Sequence, residues 1–287
     1  MKTVYLDSRD LIRLVAKELP LPPTEFAAIL VSKSWQLAFS FSNICEVVVV
    51  QELLETRRRL QVLQSMPHVN ILAMPAVRCL EFAAAVSAFE CGQEPASVVP
   101  FVSRWHQTYT VPGQRDYQDM LVNYSLVDQV LPLAMLNSNV GHNVPWRARQ
   151  LQEAVDRDRA VTDAVRRNHE RFANALKRDL GECGIPAPSA GVATFAKWLR
   201  ANGSRCPGWQ LFDEAYLEFC TNVQDTVDRG DISDWAHIAT LPYVEALTLD
   251  RRMANYCRTA ATRLAQRGGR DHAERIYANT EAWLLST

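Results

Sequence analysis

Near its start the chain runs Thr3-Val4-Tyr5-Leu6 straight into Asp7, after which Leu11, Ile12, Leu14 and Val15 keep helical spacing up to Pro20. A β-rich run feeding directly into an amphipathic stretch reads as a strand followed by a helix. The rhythm repeats. Gln36 to Ser42 alternates as a second strand, Asn43 to Val62 reads as a helix finishing in Arg57-Arg58-Arg59, Val69 to Met74 as a third strand and Arg78 to Phe89 as a further helix. It resumes near the other end. Trp209 to Val227 and Ser233 to Leu241 read as helices, Val244 to Leu249 as a strand ending in Asp250, Arg251 to Arg267 as a helix, Gly268-Gly269 as a turn and Arg275 to Leu285 as a last strand. Strands alternating with helices constrain the fold to an α/β class with a parallel sheet flanked by helices.

Between about residues 92 and 208 the strand rhythm is lost. Pro95, Pro100, Trp105, Tyr109, Pro112 and Tyr117 lead into a long helical run from Trp146 to Leu180, stopped by Gly181, and a helix from Val192 to Ala201 follows. The organisation expected is a first α/β part over 1–91, a mostly helical insertion over 92–208 and a second α/β part over 209–287. The aromatic residues of the insertion could stack on bases, but packing within it is the better reading.

Charge narrows the function. With 31 Lys+Arg against 32 Asp+Glu the formal net charge is −1, which excludes capture of nucleic acid by bulk charge alone. The total is nevertheless a sum of opposing blocks. Leu211 to Asp250 holds nine acids and one Arg, Arg251 to Thr287 seven Arg against three acids, and Pro145 to Arg178 nine basic and five acidic residues. No apolar run approaches a membrane span, and Asp7, Arg9 and Asp10 stand where a secretion signal needs apolar residues, so a cytoplasmic protein without membrane contact is expected. The seven cysteines are odd in number, scattered and free of CxxC pairs, which predicts reduced thiols.

Two strands end on an acid, Asp7 and Asp250, and in a parallel sheet the carboxyl ends of the strands line the ligand crevice. Glu46 lies four residues past Ser42, on the same edge. Asp231 and Asp234 are three apart, so on one helix they face the same way. Carboxylates packed together repel until a proton or a cation relieves them. All-oxygen ligation suits Mg²⁺ or Mn²⁺, and such a centre serves phosphodiester hydrolysis. Each acid also has a purely structural reading. Asp7, Asp231 and Asp250 can cap the helices that follow them, and Asn43 with Glu46 fits a capping box. His237, one turn after Asp234, is expected as a packed residue more than as a ligand.

The segments Tyr5-Leu6-Asp7, Phe39-Ser40-Phe41-Ser42-Asn43-Ile44-Cys45-Glu46, Asp234-Trp235-Ala236-His237-Ile238-Ala239 and Leu247-Thr248-Leu249-Asp250 resemble, in that order, the motifs of PIN-domain nucleases. The resemblance covers about residues 1 to 90 and 210 to 287. It implies a PIN-like sheet and a Mg²⁺- or Mn²⁺-dependent endoribonuclease, a toxin or a defence nuclease, with Asp7, Glu46, Asp234 and Asp250 at the metal and Asp231 as an alternative or neighbouring acid. Arg9 and Arg251, next in sequence to two of the acids, are placed to neutralise phosphate. The partners implied are RNA, with DNA left open, an antitoxin protein and a second copy of the chain. The expected reaction is in-line attack of water on phosphorus, giving a 5′-phosphate and a 3′-hydroxyl. The alternative is a PIN-like binding or assembly module whose acids serve structure. A haloacid-dehalogenase-type phosphatase also opens on a strand-end Asp, but it needs a second Asp where Arg9 stands.

Overall fold

The computed structural model describes residues 1–48, 53–103, 105–109, 125–127, 130, 144–227 and 231–287. Its centre is a six-stranded sheet of β1 (Lys2–Tyr5), β2 (Trp35–Phe39), β3 (His68–Ile71), β4 (Phe101–Val102), β5 (Ala246–Thr248) and β6 (Ile276–Tyr277), in the order β4-β3-β2-β1-β5-β6. All neighbours are parallel except β4, which pairs antiparallel with β3 through Asn70 to Val102 and Ile71 to Phe101. The α/β class therefore holds, with a mixed sheet. The two-residue β4 falls within the stretch where the sequence shows no strand rhythm, because two residues are too few to alternate.

The strands alternate between two apolar layers. Val4, Leu6, Leu37, Phe39 and Ala246 enter one layer with α1 (Ser8–Val15), α2 (Pro23–Ser32), α3 (Phe41–Val47) and α4 (Leu53–Gln64). Tyr5, Ala38, Ile71 and Leu247 enter the other. Behind α5 (Met74–Glu90), the insertion contributes α6 (Val144–Arg159), α7 (Asp163–Arg166), α8 (His169–Glu182) and α9 (Val192–Arg200). The second layer is completed by α10 (Pro207–Thr221), α11 (Asp231–Ile238) and α12 (Arg251–Gln266). A third cluster joins Phe82 of α5 and Trp209 of α10 to Phe172 and Leu176 of α8 and to Phe195 and Leu199 of α9, with aromatic contacts across it.

Several boundaries differ from the sequence expectation, each for a local reason. The helix α2 falls in the stretch between the first helix and the second strand; Pro23 is at its start and Phe26 and Leu30 face the core one turn apart. The helix expected over 43–62 is instead α3 and α4, with 49–52 outside the described residues. The run from Trp146 to Leu180 breaks into three because Thr162 and Asn168 accept the backbone N–H groups of Val165 and Arg171 and so start new helices. Gly181 lies inside α8, and the chain turns at Gly184, whose φ is +65°. The last strand is only Ile276–Tyr277. Asn279 then caps α13 (Thr280–Ser286) by accepting from Ala282 N at 2.8 Å, and Trp283 is buried against Phe26 and Trp35.

The expectation that all seven cysteines are reduced is corrected. Cys79 of α5 and Cys183 at the end of α8 form a disulfide across a sequence separation of 104 residues, a pairing that spacing alone does not reveal.

Candidate metal centre

The strand order reverses beside β1: β2 and β3 are added to one side, β5 and β6 to the other. The crevice outside the carboxyl ends of the strands opens at such a switch point. Asp7 sits there, two residues past the end of β1, and its backbone N–H donates to Thr248 Oγ1 of β5 at 2.9 Å. Thr248 thereby ties the two strand ends that carry Asp7 and Asp250. Asp7 occupies the N-cap position of α1, yet its side chain makes no capping hydrogen bond, so its carboxylate is left for another task.

That carboxylate meets α11. One ligand atom each from Asp7, Asp234 and His237 lies within 4.8 Å of the others, with His237 Nε2 3.9 Å from Asp7 Oδ1. Asp7 and His237 are buried. The packed-residue expectation for His237 is accurate as to burial and incomplete as to place, since the ring borders the acids. The signal was present in the sequence, because Asp234 and His237 are three apart on one helix and face the same way.

Electrostatics draw in the other acids. Burial and then the carboxylates of Asp7, Asp250, Glu46 and Asp231 push Asp234 up to about 9. Asp7 is raised as well, by burial first; His237 and Arg9 oppose the rise while Asp10 and Glu46 add to it. The four other expected acids thus all act on Asp234. Carboxylates grouped around Asp234 with an imidazole beside them fit a divalent cation, which would relieve the repulsion that adds to burial in raising Asp234.

Their individual roles separate. Asp250 caps α12, accepting from Met253 N at 2.9 Å through Oδ1, which leaves Oδ2 for a ligand, so capping and ligation coexist there. Asp231 is the first residue of α11, fully buried and paired with Arg252, which favours Asp234 as the acid at the centre. Glu46 is not in a capping box, and it lies in the second turn of α3, not the first. The box belongs to Ser40 and Asn43, because the helix begins at Phe41. Asp10, one turn after Asp7 on α1, is a further acid at this edge; it is fully buried and its Oδ2 has no hydrogen-bond partner among the described residues.

Behind His237 runs a buried polar chain. Its Nδ1 lies 2.7 Å from Tyr5 Oη, which lies 2.6 Å from Ser40 Oγ. Burial raises the Tyr5 phenol well above its ordinary value, so it keeps its proton.

Several basic residues among the described residues are committed elsewhere. Arg167 pairs with Glu214 and Glu218, Arg171 with Asp213, Arg263 with Glu218 and Arg267 with Glu214. The opposing charge blocks of the sequence therefore meet around α10, within the fold. Arg58 and Arg59 bond Glu55 within α4 and stand in mid-helix, which corrects the expectation of a helix finishing in Arg57-Arg58-Arg59. Arg9 is half-exposed and bonds the Ala278 carbonyl at 3.1 Å and Asp10 at 3.5 Å. Arg251 is exposed at the first position of α12, beside Asp250. Trp105 is buried and stacks on Phe41, in keeping with packing. Tyr117 and the side chains of Tyr109 and Trp146 lie outside the described residues.

No family model, curated protein or solved structure matches the chain. No helix among the described residues is long and apolar enough to cross a membrane.

Proposed function

We propose that the chain is a PIN-like, divalent-cation-dependent endoribonuclease acting in the cytoplasm, with Asp7, Glu46, Asp234 and Asp250 as its acids. The observation that carries this reading is the grouping of Asp7, Asp234 and His237 within 4.8 Å at the carboxyl edge of a parallel sheet, with Glu46 and Asp250 close enough to raise Asp234. The PIN-like identity is supported by position: an acid after β1, an acid on the helix after β2, an acid on the helix before β5 and a Thr-x-Asp at the end of β5.

A bound Mg²⁺ or Mn²⁺ supplies charge neutralisation and lowers the pKa of water. The residues of the chain do the rest. Asp7 and Asp234 present oxygens from two elements that would hold the cation, and Thr248 fixes the strand end that carries Asp7. Arg251 stands exposed beside the acids to receive a phosphate oxygen, whereas Arg9 is held by Ala278 and acts at longer range. RNA is the proposed substrate, with DNA open; an antitoxin and a second copy of the chain are the proposed partners.

The test is cleavage of a labelled RNA in Mn²⁺ by wild type and Asp7→Asn. Activity that needs the cation and vanishes in the folded variant supports the reading, and equal cleavage by both proteins sinks it. The internal pairing of Arg167, Arg171, Arg263 and Arg267 favours a second reading, a binding or assembly module with few free cations for phosphate. Calorimetry separates the two, since a module whose acids are structural has no reason to take up Mn²⁺ and to lose that uptake in Asp250→Asn.

A further inference from the structure

We infer that His237 offers Nε2 as a nitrogen ligand to the cation held by the acids, and that the buried chain Tyr5–Ser40–Asn43 sets this up, so that the site selects a transition ion such as Mn²⁺ over Mg²⁺. The inference rests on the metal reading above and specifies its cation.

A cation on Nε2 would set the polarity of the chain, and its far end is built to receive that polarity. Ser40 N–H can only donate and lies 2.8 Å from Asn43 Oδ1, while Asn43 Nδ2 faces the carbonyl oxygens of Leu6 and Ala38, both at 3.4 Å. The amide is thus oriented with its oxygen toward Ser40. The Ser40 hydroxyl has two acceptors in reach of its one proton, Tyr5 Oη at 2.6 Å and the same Oδ1 at 3.4 Å, and its oxygen accepts from Asn43 N–H at 3.3 Å. With that proton on Asn43 Oδ1, one lone pair remains on Ser40 and accepts the Tyr5 hydroxyl proton across 2.6 Å. Tyr5 Oη, its proton directed to Ser40, accepts from His237 Nδ1–H across 2.7 Å. Every donor in the chain then ends on an acceptor.

A neutral imidazole carries one N–H, so with Nδ1 protonated the lone pair is on Nε2. That atom is the one that faces the centre, 3.9 Å from Asp7 Oδ1 and 3.4 Å from Ser8 Oγ, whose hydroxyl donates to it when no cation is present. A metal-binding histidine whose other nitrogen donates to a fixed partner is the arrangement that orients such ligands. Mg²⁺ takes oxygen ligands and dehydrates reluctantly, whereas imidazole suits first-row transition ions and the carboxylates suit Mn²⁺.

The test is Mn²⁺ titration of the whole chain followed by electron paramagnetic resonance, with pulsed detection of ¹⁴N coupling and competition by Mg²⁺. Expected are ¹⁴N coupling from a directly bound imidazole, its loss in His237→Gln, and at least tenfold tighter binding of Mn²⁺ than of Mg²⁺. Tyr5→Phe should weaken Mn²⁺ about tenfold and leave Mg²⁺ unchanged, since outer-shell partners of ligating histidines are typically worth about 10- to 100-fold in affinity. Mn²⁺ bound without ¹⁴N coupling, or no preference over Mg²⁺, overturns the inference and leaves the acidic centre standing. No uptake of either ion overturns both. The wild-type spectrum decides the matter even where a buried variant fails to fold.

Discussion

Asp234→Asn should make the metal-free protein more stable and unable to bind the cation. With Asp234 raised to about 9 in the folded chain, from an ordinary 3.8, the folded state at pH 7 holds a proton that the unfolded state has released. The cost spans about three pH units at about 1.4 kcal/mol each, so roughly 4 kcal/mol is an upper bound and about 2–4 kcal/mol the expected gain on substitution. The sign follows from linkage. A carboxyl raised on folding binds more protons in the folded state between its two pKa values, so its contribution to stability is lost as pH rises from about 4 to about 9. Urea unfolding of wild type and variant in EDTA, at pH 4, 7 and 9, isolates this group by difference. The gain should be near zero at pH 4 and grow toward pH 9, with a midpoint shift on the order of 1 M urea at pH 7 for a slope near 3 kcal/mol/M. Mn²⁺ should stabilise the wild type and not the variant. A variant that is neutral or destabilised at pH 7 in EDTA would refute the convergence of the acids.

Other perturbations probe the frame that holds the centre. Glu81 is buried on α5 and accepts from Gly208 N at 2.7 Å, Trp209 N at 2.9 Å and the Tyr243 hydroxyl, so Glu81→Ala should strip the start of α10 and lower stability by about 3 kcal/mol in urea unfolding; a loss under 1 kcal/mol contradicts that role. Trp283→Ala should cost about 3–5 kcal/mol by the same assay, because the ring is buried between Phe26 and Trp35, whereas an exposed C-terminal strand would tolerate it. Thiol titration in denaturant should find five free thiols among the seven cysteines, and reducing the link between Cys79 and Cys183 should lower stability by about 3–5 kcal/mol for a loop of this length; seven reactive thiols refute the pairing.

The parallel frame was legible because Val4, Leu37, Ala246 and their neighbours carry strand chemistry in runs that end on turn or helix signals. The acids were legible for a related reason: strand ends converge, so Asp7 and Asp250 meet although far apart in sequence. What escaped depends on partners that no local pattern encodes. Whether Ser40 or Asn43 begins α3 is decided by one hydrogen-bonded box, and that choice moved Glu46 by a turn. Whether the arginines of the insertion face solvent or Glu214 and Glu218 depends on packing between helices distant in the chain. His237 reads as an ordinary helix residue until Tyr5 and Ser40 are placed behind it.

The central claim is that Asp7, Asp234 and their neighbours hold a divalent cation at the β1/β5 switch point. Crystals of the whole chain soaked in Mn²⁺ and measured for anomalous scattering test it directly. The account predicts a peak within ligand distance of Asp7, Asp234 and His237 that disappears in Asp7→Asn. A well-diffracting crystal with no peak there, or with Mn²⁺ bound only elsewhere, would contradict it.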